Sequence, residues 1–138
     1  MKSRQVVLDS WALLALLRGE GEAALFMRRL MHRAKAGNVV LVMNVVNLGE
    51  VYYRCIQLTG EAAADEQLAL IRAMPITIVP AKETIVLEAA RLKARYRLGY
   101  TGAMVVATAR QEQAPMYTGD PGLFSLPAEV VTVRRLTR

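Results

Sequence analysis

The chain is predicted to fold as an α/β domain, a three-layer α/β/α sandwich with a mainly parallel central sheet. Two observations carry that expectation. Short apolar runs such as Val6-Val7-Leu8 and Val39-Val40-Leu41-Val42-Met43 do not alternate with polar residues, the pattern of strands buried on both faces. Longer segments with helical apolar spacing separate them, and strands joined through helices pair in parallel by crossovers.

Taken in order, the first strand runs through Gln5-Val6-Val7-Leu8 and ends at Asp9. Ser10 is expected to cap the helix that follows, Trp11 to Leu17. Gly19 and Gly21 bracket a break before a second helix at about 22–36, with Leu25, Phe26, Met27, Leu30 and Met31 on one face. Val39–Met43 is the second strand, followed by helices at about 45–58 and 61–73. Ile76–Val79 is the third strand, closed by Pro80. Helices at about 82–97 and 101–112 precede short strands at Met116–Thr118 and Val130–Val133. No repeat, linker or low-complexity tract interrupts the series, so residues 1–138 read as one domain.

With 54% hydrophobic residues, 138 residues suffice to bury a core without metal or disulfide staples. No apolar run approaches the roughly 20 residues of a membrane span, and Cys55 is alone, which suits the cytoplasm. His32 is the single histidine and reads as a surface residue. The formal charge of +6 favours polyanionic partners, nucleic acid or an acidic protein. The basic residues group at 28–35, at 91–97 and at Arg134, Arg135 and Arg138. Such runs are also what a solvated helix face looks like.

The acidic residues are more selective. Only three aspartates occur, Asp9, Asp65 and Asp120. Asp9 and Asp120 each end an expected strand, and parallel strands present their C-terminal ends on one edge, where ligands bind. Pro121 suits a first helical position after Asp120. Glu50 shares a helix face with Asn47 and Arg54, a polar stripe on an otherwise apolar helix. Gly49 beside it costs a helix roughly 1 kcal/mol and argues for close approach of something there. Carboxylates gathered in one place repel unless a cation joins them, and hard oxygen donors select Mg²⁺ or Mn²⁺. A metal that orients a water and neutralises a phosphate hydrolyses phosphodiesters.

Four segments in register, Val7-Leu8-Asp9-Ser10, Asn47-Leu48-Gly49-Glu50-Val51-Tyr52-Tyr53, Val105-Val106-Ala107-Thr108-Ala109 and Thr118-Gly119-Asp120-Pro121, resemble the PIN domain, specifically VapC-type toxins of toxin–antitoxin pairs. The resemblance spans nearly the whole chain. It implies a Mg²⁺-dependent ribonuclease acting on RNA, inhibited by a small cognate antitoxin and often a homodimer. It also implies catalytic and metal-holding roles for Asp9, Glu50 and Asp120, with Ser10 and Thr118 as supporting hydroxyls. The chain departs from the family pattern at one place. A further aspartate, typically within Tyr-Ala-Asp-Ala, belongs where this sequence reads Tyr100-Thr101-Gly102-Ala103. Gly102 is then either natural, in a weakened homologue that still binds antitoxin or RNA, or a disarming substitution.

Rival α/β classes fit less well. Asp9-Ser10-Trp11 is not the Asp-x-Asp of haloacid dehalogenase-type phosphatases, and no G-x-x-x-x-G-K-[ST] phosphate loop is present. The remaining alternative is a PIN fold that pairs with an antitoxin or RNA and cuts nothing.

Overall fold

The computed structural model describes residues 4–138. Strand β1 (Arg4–Leu8) leads into helix α1 (Ser10–Arg18), then α2 (Gly21–Lys35), β2 (Val39–Asn44), α3 (Val45–Thr59) and α4 (Glu61–Arg72). Strand β3 (Ile76–Val79) is followed by α5 (Glu83–Arg95), α6 (Tyr100–Glu112), β4 (Met116–Thr118), a 3₁₀ turn at Pro121–Leu123 and β5 (Val133–Arg135). The five strands form one sheet in the order β3-β2-β1-β4-β5, every pair parallel. This is the expected α/β/α sandwich.

Two apolar layers enclose the sheet, and the strand pleat divides them. Val6, Leu8, Leu41 and Met43 face a cluster with Leu13, Met27, Leu30, Leu48, Val51 and Ile71 of α1 to α4. Val7 and Val42 point the other way, against Ile85, Ala89 and Leu92 of α5 and the Ala103–Ala109 run of α6. Helix α6 is buried from Ala103 to Ala109 because it lies under α5 and against β1, β2 and α3. Its small side chains permit that approach, and explain why the segment has no polar face.

The strand order decides where the site falls. From β1 the chain winds outward to β2 and β3, then returns to the opposite side of β1 for β4 and β5. The reversal opens a crevice beyond the C-terminal ends of β1 and β4, the place where doubly wound sheets bind ligands.

Three local expectations are corrected. The cap of α1 is Asp9, not Ser10: Asp9 has extended backbone angles and its Oδ1 accepts the Ala12 N–H at 2.9 Å. The freed Ser10 hydroxyl turns to another partner, described below. The last strand begins at Val133, not Val130, because the Val130 and Val131 N–H groups are spent on the Pro127 carbonyl in a turn. Helix α5 is two residues shorter at its end, since Tyr96 turns to extended angles after its N–H bonds Leu92. Helix α1 stops at Gly19, whose φ of 78° is a left-handed conformation favoured by glycine. Among the described residues no helix is long and apolar enough to cross a membrane.

Candidate active site

A cavity of about 370 Å³ opens at the crevice and is lined by residues from four segments and by Arg138 beyond β5. The β1–α1 junction gives Asp9, Ser10 and Trp11, and α3 gives Asn47, Glu50 and Arg54. The start of α6 contributes Thr101 and Gly102, and the turn after β4 contributes Asp120 and Pro121. Asp9, Glu50 and Asp120, distant in sequence, therefore share one cavity.

Asp9 lies at its floor, 4% exposed. Burial penalises the charged carboxylate most, and the negative charges of Asp120 and Glu50 add to the penalty. Hydrogen bonds from the Thr118 side chain and the Ala12 N–H oppose them without cancelling them, and the pKa is pushed up to about 7. Thr118, fully buried, also accepts the Asp120 N–H on its Oγ1 at 2.9 Å. One hydroxyl thus ties the ends of β1 and β4 together.

Glu50 is tethered at both oxygens. The Ser10 hydroxyl donates to Oε1 at 2.6 Å, and Arg54 Nη2 lies 3.3 Å from Oε2. The hydroxyl expected to cap a helix instead positions the second carboxylate from across the cavity. Asp120 is exposed, and its Oδ1 accepts the Gly122 N–H at 2.9 Å, which holds the 3₁₀ turn.

Asn47, 1% exposed, links α3 to α6 by donating from Nδ2 to the Thr101 carbonyl at 3.0 Å. Among the described residues its Oδ1 has no hydrogen-bond partner, although buried oxygens normally find one. Asn44, not singled out from the sequence, accepts the Val46 N–H at 2.9 Å to cap α3. Its Nδ2 donates to Thr108 Oγ1 at 3.1 Å, a second tie from α3 to α6. An Asn between a strand and a helix is a cap signal that was readable beforehand.

The donors at the cavity are all hard oxygens: three carboxylates, the unsatisfied Asn47 amide oxygen and the Ser10 hydroxyl. That set fits Mg²⁺ or Mn²⁺. Among the described residues, however, no three Asp, Glu, His or Cys side chains stand grouped closely enough to hold an ion. Glu50 and Asp120 are engaged by Ser10, Arg54 and Gly122, and Gly102 presents no carboxylate. A Cβ at position 102 would meet only Leu123 Cδ2 at 3.4 Å, an ordinary contact, so the first side-chain atom has room.

Three cations, Arg18, Arg54 and Arg138, line the same cavity as the carboxylates. The basic groups at 28–35 and 91–97 lie elsewhere. His32, Arg33 and Lys35 are exposed on α2, and on α5 Arg91 binds Glu88 while Lys93 donates to the Leu98 carbonyl. They behave as solvated or locally paired faces.

Fold and site together define a class, a doubly wound α/β domain with carboxylates gathered at the switch point of its sheet. Residues 6–129 match the PIN domain family, and the chain belongs to that family. No curated protein is a significant match. Among solved structures, the chain resembles VapBC2 from Rickettsia felis bound to a promoter DNA fragment, with a TM-score of 0.77 at 12% identity, covering 96% of this chain and 99% of the other. It resembles Mycobacterium tuberculosis VapC20, described as a Sarcin-Ricin loop cleaving toxin, with a TM-score of 0.68 at 18% identity, covering 83% and 89%. A toxin–antitoxin complex from Klebsiella pneumoniae gives a TM-score of 0.66 at 18% identity, covering 94% and 95%. At these identities the likeness is one of fold.

Proposed function

We propose that this chain is the toxin of a type II toxin–antitoxin pair and a divalent-metal-dependent endoribonuclease, impaired by Gly102. The observation that carries the reading is the convergence of Asp9, Glu50 and Asp120 on one cavity that Gly102 also lines. The pairing with an antitoxin is supported by the likeness of this chain to a chain of the Klebsiella toxin–antitoxin complex and to one of VapBC2, matched over 94% or more of both lengths. A cognate antitoxin and a second copy of this chain are the protein partners of this reading.

Asp9, Glu50 and Asp120 would hold Mg²⁺ or Mn²⁺, with Asn47 Oδ1 available to the ion or its water shell. The ion, when bound, orients the attacking water and neutralises charge on the scissile phosphate. The chain's own residues do the rest. Thr118 steadies Asp9 and the Asp120 backbone, Ser10 keeps Glu50 turned to the cavity, and Arg18 and Arg54 attract the RNA backbone.

The deciding experiment is Mg²⁺- or Mn²⁺-dependent cleavage of a structured RNA pool by three proteins: this chain, Gly102→Asp, and Gly102→Asp with Asp9→Asn. Strong cleavage by Gly102→Asp alone is expected. A second reading, a PIN fold that binds without cutting, is favoured by Gly102 and by the tethering of Glu50 to Arg54. No cleavage by any of the three would put it first.

A further inference from the structure

Trp11 lines the cavity beside Asp9, Ser10 and Asp120, yet the carboxylate chemistry has no use for an indole. It is the one aromatic side chain among the lining residues, and it is half-buried. Its seat is unusual. A Cβ at Gly119 would stand 2.3 Å from Trp11 Cη2 and Cζ2 and 2.4 Å from Cε2, so no side chain can exist there while the ring stays in place. The glycine before Asp120 is thus a notch that receives the six-membered part of the indole. The ring is fixed against the backbone that carries one of the three carboxylates.

We propose that Trp11 is a stacking platform for an unpaired nucleobase of the RNA engaged at this site. The proposal rests on the ribonuclease reading above and names its substrate class: RNA with an unstacked nucleotide next to the reacting phosphate. Sites for single strands pair cationic groups that follow the backbone with aromatic rings that take the bases. Arg18, Arg54 and Arg138 supply the first here and Trp11 the second. A base inside a duplex has both faces covered and cannot use the ring. Because Gly119 holds the indole in place, little conformational freedom is lost when a base stacks on it.

The chain contains one tryptophan, so its emission reports on this position alone. The test titrates the full chain, with Mg²⁺, with a single-stranded 2′-O-methyl RNA and with the same strand annealed to its complement. Two signals are read: anisotropy of a dye-labelled strand for binding, and tryptophan emission with unlabelled strand for stacking. The single strand is expected to quench Trp11 and the duplex to leave it unchanged. Trp11→Leu should weaken single-strand binding about 10-fold, while Trp11→Phe, which keeps a ring, stays within about 3-fold. Thermal melts verify that both variants fold, and Trp11→Phe keeps the test decisive if Trp11→Leu does not.

The two readings fail differently. Binding in anisotropy without quenching, or equal affinity for Trp11→Leu, overturns the platform and leaves the ribonuclease standing. No binding by this chain, with no cleavage by Gly102→Asp, removes both. Quenching by a partner protein and not by the strand assigns the ring to protein docking and overturns the proposal.

Discussion

The Thr118 hydroxyl hydrogen-bonds the Asp9 carboxylate and so opposes the burial that drives Asp9 toward its neutral form. The same oxygen accepts the Asp120 N–H at 2.9 Å. Thr118→Val keeps the shape and removes both bonds, leaving a buried carboxylate less supported. The loss of a buried partner costs about 1–3 kcal/mol. The variant should melt at lower temperature, and its Mg²⁺ binding should need a higher pH than that of the parent. Calorimetric Mg²⁺ titrations across pH check the shift, and an unchanged pH profile would contradict the role given to Thr118.

Asp9 itself sets a pH dependence whose sign follows from its raised pKa. The folded state keeps the proton up to about 7, whereas a free carboxyl releases it near 3.8. Between those values the folded chain binds more protons than the unfolded one, so stability falls as pH rises through the window and is flat above it. The loss is on the order of a few kcal/mol. Without divalent cations, Asp9→Asn should therefore be more stable than the parent at pH 8 and gain much less at pH 4. Mg²⁺ should restore the parent at pH 8 and do little at pH 5, where protons occupy Asp9. Chemical denaturation at these pH values, with and without Mg²⁺, measures each term.

Much of this site was readable in the sequence, for a physical reason. Apolar runs without alternation forced parallel, doubly buried strands, and parallel strands put Asp9 and Asp120 on one edge whatever their order. Glu50 was readable because a polar stripe on an apolar helix needs a destination. The rest depended on contacts between distant segments. Asp9 and Ser10 are both good caps, and only the position of Glu50 across the cavity decides that Ser10 bonds the carboxylate while Asp9 caps. The notch at Gly119 is defined by the Trp11 ring, which local propensity cannot place. The shift of β5 to Val133 follows from a turn at Pro127 whose carbonyl captures two N–H groups.

Arg54 competes with any cation for Glu50. Its guanidinium lies 3.3 Å from Glu50 Oε2 and its side chain is 49% exposed, so the bridge adds little stability. Arg54→Gln should leave the melting temperature nearly unchanged while raising Mg²⁺ affinity several-fold at low ionic strength, about 1 kcal/mol of freed carboxylate. RNA affinity should move the opposite way, because a cation at the cavity wall is lost. Parallel Mg²⁺ and RNA titrations separate these effects. A fall in Mg²⁺ affinity would show that Arg54 orients Glu50 and does not compete for it.

Gly102→Asp tests whether the cavity still accepts the carboxylate it lacks. Gly102 is the third residue of α6, whose first turn holds no acidic side chain. An aspartate there faces the positive end of the helix, and replacing a helical glycine by aspartate recovers about 0.3 kcal/mol of propensity. The first atom of the new side chain has room, with Leu123 Cδ2 at 3.4 Å as its nearest neighbour. Against these gains stands repulsion from Asp9, Glu50 and Asp120 across the cavity. Without metal the two effects oppose each other, and the melting temperature should change little at pH 7. With Mg²⁺ the repulsion becomes attraction, and the variant should gain stability where the parent gains less. Its Mg²⁺ affinity should rise about 10-fold or more, the effect of one added charged oxygen donor worth about 1.4 kcal/mol. Calorimetry reads this binding independently of any RNA. An unchanged affinity, with the variant folded, would mean that position 102 does not face the ion and that Asp9, Glu50 and Asp120 hold it without help from α6.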